Sequence, residues 1–338
     1  MRIRSLTLLL LCSFSVLGGS CASVPRAADD GGPEWSRGDT AHLYVETDLG
    51  ASGAKALAHD LEISRLAMTA ALFDRARPPS ERLDVIVLRI GELASVSPHL
   101  QGAFARLSAQ DPPTLVLGPD QPDQRVEIMH HELAHAVVAE NLHDVPRWLN
   151  EGLASLLGTA ELDERTGNVS WGRLEIHDFH ANQYDLAPLD DVLDDVWPGY
   201  DIARYELSSA YLARMLAFEH PHELKCLLER LVGTGGFDPA LAACFPDRGA
   251  WAAQYAREQF RKDVNVGRVR VDVRSAGGAV IVRGMSNAEV HGALARLEDI
   301  IALTLPMNDE RRSELRAEAD KQRERAKALE PAAPGPAR

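Results

Sequence analysis

The sequence predicts an α+β fold, and three observations carry that expectation. A short apolar run, Thr114–Leu117, reads as a strand and stands just ahead of a segment whose apolar residues recur at helical spacing. The stretch from about Leu186 to Phe260 reads as mostly helical, with Tyr211–Phe218 and Glu223–Leu231 its clearest segments. Around Asn265 the period changes: Val269, Val271 and Val273 alternate with charged residues, as in a strand with one buried face. With 45% hydrophobic residues, a chain of 338 can bury a substantial core, and length alone allows about two domains.

At the start of the chain, Met1-Arg2-Ile3-Arg4 is basic, an apolar core runs from Leu8 to about Leu17, and Gly18, Gly19 and Ser20 lead to Cys21. Residues 1–21 read as a secretory signal, too short to remain as a membrane-spanning helix. Cys21 resembles the lipid-modified first cysteine of a bacterial lipoprotein. Leu17 lies four positions before it, where three is usual, and ordinary cleavage after Ala22 is the alternative. The expected location is the bacterial cell envelope (periplasm or outer membrane), with secretion the other possibility. Residues 22–40 are hydrophilic and are expected to be a flexible tether. No later segment approaches the roughly 20 consecutive apolar residues of a membrane span. Once Cys12 is removed and Cys21 lipidated, Cys226 and Cys244 remain, on two expected helices around Gly233-Thr234-Gly235-Gly236. An oxidising compartment would allow a disulfide between them, and neither has a neighbour at metal-ligand spacing.

The most informative stretch is His131-Glu132-Leu133-Ala134-His135, followed by Glu151 in Trp148-Leu149-Asn150-Glu151-Gly152. Histidines four apart project from one face of a helix, so both rings can reach one ion. Glu132 is turned about 100° from His131 and flanks that ion without being forced to bind it. Val126, Met129, Leu133 and Val137 supply an apolar stripe, and Asp120 and Asp123 are N-cap candidates, with Pro122 tolerable near the helix start. Asn141-Leu142-His143-Asp144 reads as a break. A second helix, capped by Asp144 with Pro146 in its first turn, would carry Glu151 back to the histidines. Two imidazoles, one carboxylate and a spare carboxylate are the ligands and general base of a catalytic zinc site with one open position. His130, His143, His220 and His222 read as surface or structural residues.

His131–His135 together with Pro146-Arg147-Trp148-Leu149-Asn150-Glu151-Gly152-Leu153-Ala154 resembles the gluzincin metallopeptidases, in particular bacterial peptidase-MA-like proteins with a second motif P-x-W-L-x-E-G-x-A. The resemblance runs from about Ala41 to about Phe260. It takes in an extended segment at His42–Thr47, a helix around Ala54–Phe73, an apolar strand at Leu83–Leu88 and the strand at Thr114–Leu117. It implies a zincin-like fold with an N-terminal mixed sheet, an active-site helix and a helical C-terminal lobe. It makes His131, His135 and Glu151 the Zn2+ ligands and Glu132 the general base. It also implies a tyrosine donor to the oxyanion; Tyr205, with Ser208 one turn on, fits better than Tyr211. In resembling enzymes the strand before the active-site helix is a sheet edge that pairs with an extended peptide. Thr114–Gly118 is either such an edge or an ordinary buried one.

The expected organisation is therefore a peptidase domain over residues 41–262 and a small appended module over 263–305. In that module a β-hairpin turns at Ser275–Gly278, returns along Ala279–Val282 and leads to a helix at Asn287–Leu303. Residues 306–338 follow as an exposed charged helix (Asn308–Leu329) and a disordered tail (Pro331–Arg338). The formal charge of −14 argues against nucleic acid or an anionic membrane surface as partner. A peptide or protein substrate is expected, with membrane contact only through Cys21. The alternative is an envelope protein that holds zinc and binds a peptide or protein without cleaving it.

Overall fold

The computed structural model describes residues 25–73, 81–89, 91–93, 97, 100, 102–107, 112–118, 125–174, 186–194, 202–233, 236–258, 265–272, 279–305 and 307–330. The signal segment with Cys12 and Cys21, the cap candidates Asp120 and Asp123 with Pro122 between them, the turn Ser275–Gly278 and the tail Pro331–Arg338 lie outside the described residues.

The fold is α+β and is organised by a mixed six-stranded sheet. Strands β1 (Ser36–Asp39), β2 (Leu43–Thr47), β3 (Leu83–Val87), β4 (Gly102–Ala105), β5 (Thr114–Leu117) and β9 (Ile281–Gly284) lie in the order β4-β5-β3-β2-β1-β9. The central pairs β2–β3 and β3–β5 are parallel; β4 on β5, β1 on β2 and β9 on β1 are antiparallel. Every residue of β3 and β5 is buried. Their near-continuous apolar runs reflect burial on both faces of the sheet.

Side-chain alternation divides those strands between two cores. Val85, Val87, Leu115 and Leu117 point into the first, with α1 (Gly50–Leu72), α2 (Arg125–Asn141) and α3 (Arg147–Leu157). Ile86, Leu88 and Val116 point into the second, against Val290, Leu294, Leu297 and Ile301 of α9 (Asn287–Thr304). Arg296 of α9 reaches the Glu46 and Asp84 carboxylates on β2 and β3. Burial pushes Glu46 up to about 7 even against Arg296 and Arg37. Ser286 caps α9 in a reciprocal capping box with Glu289.

A second sheet holds β6 (Glu161–Asp163), β7 (Asn168–Trp171) and β8 (Gly267–Arg270) in that order. The helical lobe follows β7: α4 (Leu189–Leu193), α5 (Ile202–Glu219), α6 (Pro221–Leu231), α7 (Phe237–Cys244) and α8 (Arg248–Glu258). The Cys226–Cys244 disulfide joins α6 to α7, the pairing allowed by the sequence. Trp171 stacks on Phe218 of α5 with ring centroids 5.3 Å apart, tying the small sheet to the lobe. None of the described helices is long and apolar enough to cross a membrane.

Three expectations need correction. The hydrophilic segment 22–40 is not a tether where it is described: Ser36–Asp39 is a strand between β2 and β9. Trp35 is 2% exposed in the second core, its indole N–H donating to the Arg26 carbonyl. The polar side chains misled because the ladder satisfies the backbone, Arg37 pairs with Asp39, and Gly38 admits α1 close to the strand (a Cβ there would lie 2.8 Å from that of Ala58). Next, β8 and β9 form no hairpin; one joins the small sheet beside β7 and the other the large sheet beside β1. Residues 263–305 are thus not an appended module, since α9 covers one face of the main sheet. Last, Thr114–Leu117 is not the edge: β4 pairs with it on the outside. The charged segment does form a helix, α10 (Glu310–Leu329), with Ala319 and Gln322 its buried residues and the Gln322 side chain contacting His291 of α9.

A chain ending at residue 262 would leave Trp35, Ile86, Leu88 and Val116 uncovered. It is expected to show no cooperative thermal transition by circular dichroism; a sharp melt would show the C-terminal segment to be separable. A second prediction concerns Glu298 on α9. Burial first, and then Glu318, push it up to about 8 against Lys321 and Arg323. The folded chain keeps a proton there that the unfolded chain releases above its ordinary value of 4.5. This contribution to stability is complete below pH 4.5 and is lost as pH rises through 8. Glu298→Gln should therefore melt about 2 °C or more above wild type in alkaline buffer, with the gap closing near pH ~5.

Candidate metal centre

Helix α2 carries both histidines. Met129, Leu133 and Val137 of the expected stripe are buried, whereas Val126 is 57% exposed, because the first turn of α2 overhangs the core. The rings of His131 and His135 stand edge to face with centroids 4.8 Å apart, as residues one turn apart on a helix should.

The return to α3 is built differently from the sequence expectation. The Asn141 side chain donates to the Val137 carbonyl and closes α2. Asp144 is no cap; it takes a left-handed backbone at φ 50°, reversing the chain direction. Pro146 stands at the N-cap rather than in the first turn, and its carbonyl accepts from the Leu149 and Asn150 amides. Trp148, Leu149, Leu153 and Leu156 then bury one side of α3 and turn Glu151 toward α2. Gly152 lets α5 come close: a Cβ there would lie 2.8 Å from that of Ala213.

The three expected ligands are brought together. Glu151 Oε2 lies 3.6 Å from His131 Nε2 and 3.5 Å from His135 Nε2, and one donor atom from each residue lies within 4.8 Å of the others. Donors around a tetrahedral ion with bonds of roughly 2.0–2.1 Å sit roughly 3.3 Å apart, so the two Glu151–histidine distances are close to those of groups sharing one ion. Burial works against a charge on Glu151, but contact with His131 and the His135 and Arg147 charges hold its carboxyl below the usual range. Burial and the neighbouring His131 push His135 down, which favours the neutral imidazole that a metal needs. His131 is raised: burial opposes its charge, but Glu151, Glu132 and Glu206 outweigh it.

Glu132 stands beside the ligands and outside their cluster. Burial, with the Glu151 and Glu206 charges, pushes it up to about 7 against His131. It packs on the edge strand β4, where a Cβ on Gly102 would lie 2.8 Å from the Glu132 carboxyl carbon. The carboxylate thus packs against β4, the outermost strand of the large sheet among the described residues.

Tyr205 lies on α5, whose Ser209 and Ala213 abut Gly152 of α3. It is 2% exposed, and the Arg147 guanidinium that acts on Glu151 lies 5.6 Å from its ring centre. Tyr211 lies further along α5, where burial raises its hydroxyl against Arg214 while Glu258 adds to the rise. His130 contacts Ser64 Oγ at 2.8 Å and ties α1 to α2, a structural role. His220 contacts Gln254 at 2.9 Å, likewise between helices.

Sequence reasoning missed Glu206. It lies on α5, and Glu151, His131 and Arg147 all act on its carboxylate. The available signal was its isolation: between Ile202 and Phe218 it is the single acidic residue. No family model matches the chain, and no curated protein matches it.

One divalent ion per chain is expected on titration of the metal-free protein. His135→Ala and Glu151→Gln should each weaken that binding by at least ~100-fold, and Glu132→Gln by no more than a few-fold. Unchanged affinity in His135→Ala would refute its place as a ligand.

Proposed function

We propose that this protein is a zinc-dependent metallopeptidase of the gluzincin type with a zincin-like fold, acting at the bacterial cell envelope. The observation that carries the reading is the convergence of His131, His135 and Glu151 beside a fourth group, Glu132, that packs against β4, the outermost strand of the large sheet among the described residues. A site serving only structure has no use for that second carboxylate.

His131, His135 and Glu151 would hold the ion, a donor set suited to zinc with a position left open. Zinc would supply Lewis-acid polarisation of a peptide carbonyl and make water acidic enough to lose a proton near neutral pH. Glu132 would take the proton from the attacking water and deliver it to the leaving amine, general-base and then general-acid work by one carboxyl group. The outer edge of β4 would align an extended peptide by main-chain pairing, the role that one of the two sequence readings gives to Thr114–Gly118. Tyr205 is the candidate donor to the oxyanion. The Cys226–Cys244 disulfide supports an oxidising, exported location, as the N-terminal signal and Cys21 suggest.

The non-cleaving reading has one observation in its favour: Tyr205, the candidate oxyanion donor, is buried beside Arg147. A digest of an unbiased peptide library by zinc-loaded wild type, with Glu132→Gln alongside, decides between the two. The peptidase reading expects cleavage by wild type and a loss of at least ~100-fold in Glu132→Gln at equal zinc content. Zinc in both with cleavage by neither would favour the binding protein. Gly102→Val should crowd Glu132 and cut turnover at least ~10-fold with zinc retained; wild-type turnover in that variant would separate β4 from the chemistry.

A further inference from the structure

The packed chain begins close to the cysteine expected to carry a lipid. Pro25 lies four positions after Cys21 and is already buried. Four residues span at most ~14 Å when fully extended. Beyond Pro25 the chain is held at once: Ala27 is buried in the second core, and the Asp29 carboxylate lies 3.2 Å from Nε2 of His291 on α9. Asp30 pairs with Arg325 on α10, and Trp35 is buried among the α9 side chains. A lipid on Cys21 therefore leaves the α9–α10 side of the molecule within a few residues' reach of the bilayer.

Charge selects the same side. The whole chain carries −14, so an anionic bilayer repels most of its surface. Helix α10 departs from that balance, with seven Lys and Arg against five Asp and Glu. Its Arg316 and Lys327 are exposed and have no ion pair or hydrogen bond among the described residues. Eleven positions, close to three full turns, separate these two, so they share one flank of the helix. The aspartates beside the attachment, Asp29 and Asp30, are taken up by His291 and Arg325.

The metal centre lies across the sheet from this surface. Helix α9 fills the second core, whereas α2 and α3, which bear His131, His135 and Glu151, fill the first. A layer packed on a sheet stands roughly 10 Å from it, so α2 lies about 20 Å beyond α9.

We propose, building on the reading of an exported peptidase with a lipid on Cys21, that the α9–α10 side is the surface that meets the bilayer, with anionic headgroups as its partner. The metal centre then faces away from the membrane. Its substrates are polypeptide segments that stand off the bilayer surface, not segments embedded in the bilayer or lying along it.

The test uses the full-length lipid-modified protein, loaded with zinc, in vesicles of phosphatidylethanolamine and phosphatidylglycerol that include a headgroup spin-labelled lipid. With Cys226 and Cys244 joined, one introduced cysteine takes a fluorophore, in Lys327→Cys on α10 or in Val126→Cys on α2. Both side chains are exposed, so zinc content and melting temperature should stay at wild type. Across a separation of about 20 Å or more, the probe at 327 should be quenched at least ~3-fold more strongly than the probe at 126. A spacer of about 20 Gly and Ser residues inserted after Ala22 reaches ~25 Å on average and should remove most of that difference. Adding Arg316→Glu should lower quenching at 327 in these vesicles and leave it unchanged in neutral phosphatidylcholine. A peptide that the enzyme cuts in solution is then attached to unlabelled vesicles of the same lipids. Cleavage should be at least ~10-fold faster on a spacer of about 40 Å than on one of about 10 Å.

Equal quenching at the two positions, stronger quenching at 126, or equal cleavage on both spacers overturns the proposal. So does an intact mass that shows no lipid on Cys21. Stronger quenching at 327 in a protein that cuts no peptide would instead sink the peptidase reading and leave the membrane-facing surface standing.

Discussion

The parallel strands β3 and β5 have no polar face, and the rest of the molecule is arranged around that constraint. A sheet with apolar residues on both sides has to be covered twice. On one side the cover is α1 and α2, which brings the histidine-bearing helix down onto the sheet. On the other it is α9, delivered from the far end of the chain. The site is thus seated on a layer held from both sides. The ion pairs of Arg296 with Glu46 and Asp84 fix where α9 lies across the strands.

On that base, two glycines set the distances at the candidate site. Gly152 brings α5 within backbone reach of α3, so the wall bearing Tyr205 and Glu206 stands close to Glu151. Gly102 removes a side chain from β4 where Glu132 has to lie. Neither glycine turns the chain: each is a place where a Cβ would push apart two elements packed at the candidate site.

Much of this was legible in the sequence, and the limits are physical. The positions of His131, His135 and Glu151 follow from helix period and a short return, both local properties. Leu83–Val87 and Thr114–Leu117 were likewise readable as strands from their apolar runs. The same runs held a further message, that strands apolar on both faces require a second cover, which would have pointed to Asn287–Thr304 as a structural layer. Ser36–Asp39 could not be read as a strand, because its partners are Leu43–Thr47 and Ile281–Gly284 and its own side chains are polar. The identity of the edge strand depends on how β4 pairs, and Gly-Ala-Phe-Ala alone does not announce it. Glu206 needed the α3–α5 packing before its isolation on an apolar helix acquired meaning.

The pairing of β1 with β9 puts Ser36 opposite Gly284, so this ladder spans nearly the whole described chain. Contacts so far apart in sequence close late, since the entropy of joining distant segments is lost before the ladder rewards it. While the chain is being made, the N-terminal strands can assemble against α1 and α2, but Ile86, Leu88 and Val116 stay bare until residues near 300 arrive. The two-sided sheet therefore orders the steps of biogenesis: its second face stays open and sticky until the segment near residue 300 has been made, and the helices bearing His131, His135 and Glu151 acquire their firm support only then.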